Sequence, residues 1–160
     1  MGGYPGNDDD GKVLQRSLDQ GKLKQDMRNS AEFLVAHERS SGKLGATGFC
    51  WGGGTTNFLA VTMGEALHAA APFYGAAPAS ADVAGIKAAM LIHYAENDPR
   101  INAMRADYEA ALKQHGVRYE MFEYPGTRHG FHNNSTPRYN ETAADLAWTR
   151  TMAHFKTHLA

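Results

Sequence analysis

The chain has 160 residues, 42% of them hydrophobic, and a formal net charge of -1, the length of one domain with enough apolar side chains for a core. Lys and Arg are interspersed with Asp and Glu along it, so there is neither a basic stripe for nucleic acid nor a polybasic face for a membrane. One cysteine excludes an intrachain disulfide, and the first thirty residues hold no apolar segment of signal-peptide or membrane-span type. The expected compartment is the cytoplasm.

From Met1 to Lys22 the chain clusters Gly, Pro, Asn and Asp without sustained periodicity, which reads as a loop with room for one short helical turn. Leu23, Met27, Ala31, Leu34 and Val35 then recur at three- and four-residue steps, predicting an amphipathic helix from Leu23 to His37. A turn and a short strand from Leu44 to Phe49 follow, and the glycines after Cys50 open a helix that runs through Phe58, Leu59 and Met63. "HAAAPFYG" predicts a strand ending at Gly75, and "AAMLIHYAEN" a nearly continuous apolar one. The next helix, "NAMRADYEAALKQHG", places Met104, Tyr108, Ala111 and Leu112 on one face, with Gly116 as its terminator. "VRYEMFEY" predicts a fourth strand, and the last helix, "ETAADLAWTRTMAHFKTHL", turns Trp148, Met152, Phe155 and Leu159 inward. This alternation predicts an α/β fold, a parallel sheet covered on both faces, in one domain over residues 1–160.

Ligands of open parallel sheets bind beyond the carboxyl ends of the strands. Those places hold Cys50 after the first strand, Asp98 in "AENDPRI" after the third, and His129 in "YPGTRHGFHN" after the fourth. Nucleophile, acid and base in that chain order match an α/β-hydrolase triad, with Gly48-Phe49-Cys50-Trp51-Gly52 in place of the G-x-S-x-G elbow. The helix beginning there directs its N-terminal N–H groups at the sulfur, which favours a thiolate. In this arrangement His129 accepts the thiol proton and Asp98 holds the imidazole tautomer, while the Trp51 backbone N–H is the first oxyanion donor.

Each residue also has a plainer reading. A lone cysteine is commonly a small buried hydrophobe, and Asp98 before Pro99 can simply cap a helix. Of the other histidines, His37, His68 and His115 fall near helix ends or loops as solvated groups, and His93 falls inside a strand as a satisfied one. His154 and His158, spaced i, i+4, have no third metal ligand in sequence reach, and His129-x-x-His132 is a weak metal signal. Two rival readings of the whole are a non-catalytic module that keeps the elbow for its backbone geometry, and a redox-sensing thiol without a resolving cysteine.

"GKLGATGFCWGGG", "LIHYAENDPRI" and "YPGTRHGFHN", with their spacing, resemble the dienelactone hydrolase family of α/β hydrolases with a cysteine nucleophile. The resemblance implies a three-layer α/β/α-hydrolase-like sheet and hydrolysis of small carboxylic esters or enol lactones. It implies Cys50 as nucleophile, His129 as base and Asp98 as orienting acid, with no cofactor or catalytic metal. It covers the later part of that family's domain, so the expectation is an amino-terminally truncated domain of about four strands. The family's substrate-holding arginine shortly after the histidine is replaced by Asn133, and the first loop offers Gly2, Gly3 and Tyr4 before Lys12. If the four strands pair in chain order, the strand before Cys50 is an open edge, which predicts a homo-oligomer through that edge.

Overall fold

The computed structural model describes residues 6–160. Four strands, β1 (Gly45–Phe49), β2 (Ala69–Phe73), β3 (Ala89–Asn97) and β4 (Tyr119–Arg128), form one sheet in the order β1-β2-β3-β4, all neighbours parallel. Helices α1 (Asp8–Ser17), α2 (Gln20–Ala36), α3 (Trp51–Met63), α4 (Pro99–Asn102), α5 (Arg105–Gln114) and α6 (Glu141–Leu159) surround it. The expected α/β architecture is present, and β1 and β4 are its edges.

Two apolar clusters, one on each face, hold the layers together. Met90, Ile92 and Tyr94 of β3 pack with Ala60 and Met63 of α3 and with Tyr108 and Leu112 of α5. The alternate β3 residue Ala95 joins Phe73, Tyr124, Phe131 and Ala147 of α6 on the opposite face. This is the two-residue period of a strand covered on both sides, and it explains why β2 is buried along its whole length.

The first 22 residues differ from the expected loop. The part of that expectation on residues 1–5 lies outside the described residues, but Asp8–Ser17 is helical and α2 starts at Gln20, before Leu23. Asn7 caps α1 by accepting the N–H groups of Asp9 and Asp10, both at 2.9 Å, and Asp19 caps α2 at Lys22. Capping side chains and acidic residues at a helix N-terminus outweigh the turn-like composition.

The inward face of α6 also differs. Ala143, Ala144, Ala147 and Thr151 face the sheet, whereas Trp148 and Met152 are 42% and 41% exposed. Small side chains let the helix approach the sheet closely, and Phe155 and Leu159 reach the open space above Gly45 at the β1 edge.

Thr151 faces inward because it completes a buried polar chain. Its hydroxyl donates to the Ala147 carbonyl at 2.9 Å, so it accepts the Nε2 proton of His93 at 3.0 Å. Nδ1 of His93 therefore accepts the Tyr124 hydroxyl proton at 2.9 Å, and the Tyr124 oxygen receives Arg150 at 3.2 Å. His93 is the satisfied strand histidine that the sequence predicts, stacked 4.1 Å from Phe73. Among the described residues no helix is long and apolar enough to cross a membrane.

Burial, with Arg150 nearby, pushes the His93 imidazole down to about 3. Between that value and the unfolded value of 6.5 the unfolded chain binds the proton and the folded chain does not, so His93 costs stability as pH falls through this window. His93→Gln is expected to be less stable than the parent at neutral pH, with the gap in urea midpoint narrowing as the pH falls from 6.5 toward 3.

Candidate active site

The first residue beyond each strand is, in order, Cys50, Tyr74, Asp98 and His129. Cys50 and Tyr74 are the only non-glycine residues with positive φ among those described, at 56° and 36°. The cause is a crossing of backbones where α3 starts. A Cβ on Gly48 would lie 2.3 Å from the Gly52 carbonyl oxygen, one on Gly53 would lie 2.4 Å from that of Phe73, and one on Gly75 would lie 2.2 Å from the Gly53 carbonyl carbon. Only glycine fits there, and the crossing forces the chain into the sharp turn that carries Cys50. Trp51 opens α3, so its N–H belongs to the group a helix leaves without an intrahelical acceptor.

Asp98 and His129 meet through an irregularity of register. β3 and β4 pair Ala95 with Tyr124 but Asn97 with Arg128, so β4 carries two extra residues between these pairs. Gly126 sits in that bulge at φ 70°, its N–H donating to the Glu96 carboxylate at 2.8 Å. Without the extra residues Asp98 would face Thr127. With them, Asp98 Oδ2 lies 2.5 Å from His129 Nδ1.

The other Asp98 oxygen accepts the Ile101 N–H at 3.4 Å, the N-cap of α4. The helix-cap reading and the imidazole-partner reading both hold, one on each oxygen. Asp98 is 5% exposed, and a buried carboxylate on Nδ1 leaves Nε2 as the nitrogen turned to other chemistry. The imidazole's one side-chain hydrogen bond among the described residues is this one, and Cys50 is a free thiol in the neighbouring cluster with Tyr74. Tyr74 packs 4.9 Å from the His129 ring.

The electrostatics of the thiol differ from the helix-dipole expectation. Burial pushes the Cys50 thiol up, with Arg138 pulling it down, Asp98 raising it and Arg100 lowering it. Burial and the Cys50 charge together push the Tyr74 hydroxyl up, so it stays protonated. A cavity of about 550 Å³ opens beside Cys50, bounded by Lys24, Trp51, Phe58, Ala77 and Arg100. Tyr74, Arg100 and Arg138 stand at the site without being singled out in the sequence; their one signal is place in the chain, the first residue past β2, two residues after Asp98 and nine after His129.

The histidine pairs do not gather as ligands. His129 faces Asp98, whereas His132 lies 5.0 Å from Phe49 and 5.8 Å from Trp148. His154 Nε2 bonds the Ala89 carbonyl and its ring meets His158 at 4.7 Å. No group of three or more His, Cys, Asp or Glu side chains suited to a metal occurs among the described residues.

The model of the dienelactone hydrolase family matches residues 4–159. A Bradyrhizobium protein named "Probable 2-oxo-3-(5-oxofuran-2-ylidene)propanoate lactonase" is 30% identical over 92% of this chain and 64% of its own length. A candidate carboxymethylenebutenolidase of Saccharolobus solfataricus is 32% identical over 89% of this chain and 57% of its own. The chain thus spans about three fifths of these relatives. A solved candidate dienelactone hydrolase from Klebsiella pneumoniae superposes with a TM-score of 0.81 at 24% identity, covering 97% of this chain and 69% of that one. A dienelactone hydrolase-like promiscuous phosphotriesterase from metagenomic libraries gives 0.77 at 21%, covering 92% and 66%. These two likenesses bear on the fold.

The split duty of Asp98 separates two substitutions. Asp98→Asn keeps a good capping residue and is expected to hold the urea midpoint near that of the parent, while Asp98→Ala loses the cap at a cost of about 1 kcal/mol. Equilibrium unfolding of the two variants checks this, since a purely catalytic role for Asp98 would leave both midpoints equal.

Proposed function

Because the chain belongs to the dienelactone hydrolase family, we propose that it hydrolyses small carboxylic esters or enol lactones through Cys50, His129 and Asp98. The observation that carries this reading is the Asp98–His129 pair at 2.5 Å, held at the same sheet end as the strained Cys50 elbow. The names of the lactonase and carboxymethylenebutenolidase relatives support the ester or lactone class.

In this mechanism His129 Nε2 takes the thiol proton as Sγ attacks the acyl carbon, and the carbonyl oxygen becomes an oxyanion against the Trp51 N–H. Collapse expels the alkoxide or enolate, which receives the proton from His129 and leaves a thioester on Cys50. Water, deprotonated by the same imidazole, attacks the thioester and regenerates the thiol. Asp98 holds the Nδ1–H tautomer and stabilises the imidazolium. In a lactone both products stay joined, so the product is one hydroxy or keto acid. No added electron donor or metal enters this sequence of steps.

One observation favours the second reading, in which the chain keeps the elbow without efficient turnover. The thiol is pushed up by burial and has no hydrogen bond to His129 among the described residues. The oligomer belongs to the same proposal. The outer edge of β1 pairs with no strand among the described residues, and Phe49 and Trp148 stand exposed beside it, which suits a second copy.

p-Nitrophenyl acetate with intact-mass analysis tests the chemistry. A burst of p-nitrophenol with one acetyl group on Cys50, absent in Cys50→Ala and reduced on the order of a hundredfold or more in His129→Ala, is expected. Acetylation at the rate of a free thiol, unchanged in His129→Ala, points to the second reading. Light scattering at micromolar concentration is expected to give a mass above that of one chain, and a monomer removes the oligomer from the proposal.

A further inference from the structure

The two extra residues of β4 interrupt its ladder with β3, and backbone groups that lose a ladder partner need another. Pro125 has no N–H to place, and the Tyr124 carbonyl accepts the hydroxyl of the buried Thr127 at 2.6 Å. On the β3 side the Asn102 amide of α4 donates to the Ala95 carbonyl at 2.9 Å and to the Glu96 carbonyl at 3.0 Å. Two carbonyls fix the nitrogen there, and the Asn102 Oδ1 is left buried without a partner among the described residues. The Gly126 N–H goes to a side chain of the facing strand, Glu96 Oε2, at 2.8 Å.

Glu96 therefore spans the offset: its backbone lies two residues before Asp98, and its carboxylate reaches the bulge three residues before His129. Among the described residues no Lys, Arg or His lies within ion-pair distance of it, and its other contact is the Asn97 amide at 3.4 Å on the same oxygen. A carboxylate aimed at one backbone N–H instead of a cation makes a charge-assisted bond of defined direction. Gly126 holds φ 70°, yet a Cβ there would meet no atom within 4 Å. The glycine serves a backbone angle and no close approach. Holding that angle keeps both extra residues in the bulge, and so keeps the imidazole, not Thr127, opposite Asp98.

We propose that Glu96 is a positioning residue that acts through His129: by holding the Gly126 N–H, its carboxylate keeps the β4 bulge in the form that sets the imidazole against Asp98 with the ring proton on Nδ1. Glu96 touches no reacting atom. It governs the fraction of chains in which Nδ1–H faces Asp98 and Nε2 is free as a base. A neutral histidine released from Asp98 returns to the Nε2–H form that imidazole side chains favour in water, and that nitrogen then has no lone pair for the thiol proton. The bond needs an acceptor oxygen and not a charge, because its donor is a neutral amide. The catalytic meaning rests on the triad reading proposed above, whereas the place of the ring proton is measured without turnover.

The test is the His129 tautomer in the isotope-labelled whole chain, read by NMR from long-range correlations between ring nitrogens and carbon-bound ring protons at a pH where the ring is neutral. Signals are assigned by their absence in His129→Gln, and kcat and KM for p-nitrophenyl acetate are measured alongside. The parent is expected in the Nδ1–H form. Glu96→Ala is expected to move part of His129 to the Nε2–H form and to lower kcat about fivefold with KM nearly unchanged, the scale of one lost hydrogen bond. Glu96→Gln, which keeps an acceptor oxygen, is expected to restore the parent tautomer and most of kcat. Gly126→Ala strains the same bulge through its backbone alone and is expected to shift the tautomer as Glu96→Ala does, which keeps the test open should Glu96→Ala fail to fold. An unmoved tautomer in Glu96→Ala or in Gly126→Ala overturns the proposal and leaves the triad reading standing. So does a Glu96→Gln that behaves as Glu96→Ala, which would make the charge the agent. A parent already in the Nε2–H form removes the Asp98–His129 pair and both readings with it, whereas the expected tautomers without turnover keep the role of Glu96 and send hydrolysis to the second reading.

Discussion

Everything at the candidate site depends on a contact between backbones. Where α3 leaves the sheet, its first turn runs against the ends of β1 and β2 at distances that admit hydrogen atoms and no methyl group. That crossing holds Cys50 and Tyr74 in conformations that cost L-residues about 1–3 kcal/mol each. Stability for this comes from elsewhere in the same layer: β2 is buried along its length, and the Cys50 N–H reaches the Phe73 carbonyl while the Tyr74 N–H reaches that of His93. The strained residues are thus tied to the best-packed strands of the sheet.

Burial that secures the elbow works against its chemistry. Removing the thiol from water raises the cost of its charge, and the same burial keeps the neighbouring phenol neutral. Guanidiniums from the loops after β3 and β4 offset part of that cost, while the Asp98 carboxylate adds to it. On the α6 face the His93 chain settles each proton by donor and acceptor count, so the sheet beneath the site carries a polar interior with no ambiguous hydrogen.

The strands and the Cys50, Asp98 and His129 positions were legible because apolar runs, elbow glycines and strand ends are local patterns. Three features escaped for physical reasons. Residues 8–17 look like a turn by composition, yet Asn7 satisfies two N–H groups that a list of residue types does not reveal. On α6 the large apolar side chains suggested the buried face, whereas close approach to the sheet selected alanines and Thr151, whose partner is 58 residues away. Arg138 depends on how three turns fold back from His129, and nothing in the spacing of nine residues encodes that return.

Chain order and spatial order coincide in this sheet, and each of the four site positions is the first residue past its own strand. Neighbouring strands are about 4.8 Å apart, so the sheet acts as a ruler on which thiol, phenol, carboxylate and imidazole are successive marks. The connections at the opposite end, around residues 64–68, 86–88 and 115–118, touch none of those marks. Added segments, fused domains or labels attached there leave the spacing of these four groups untouched, which makes that end of the molecule the one open to modular change.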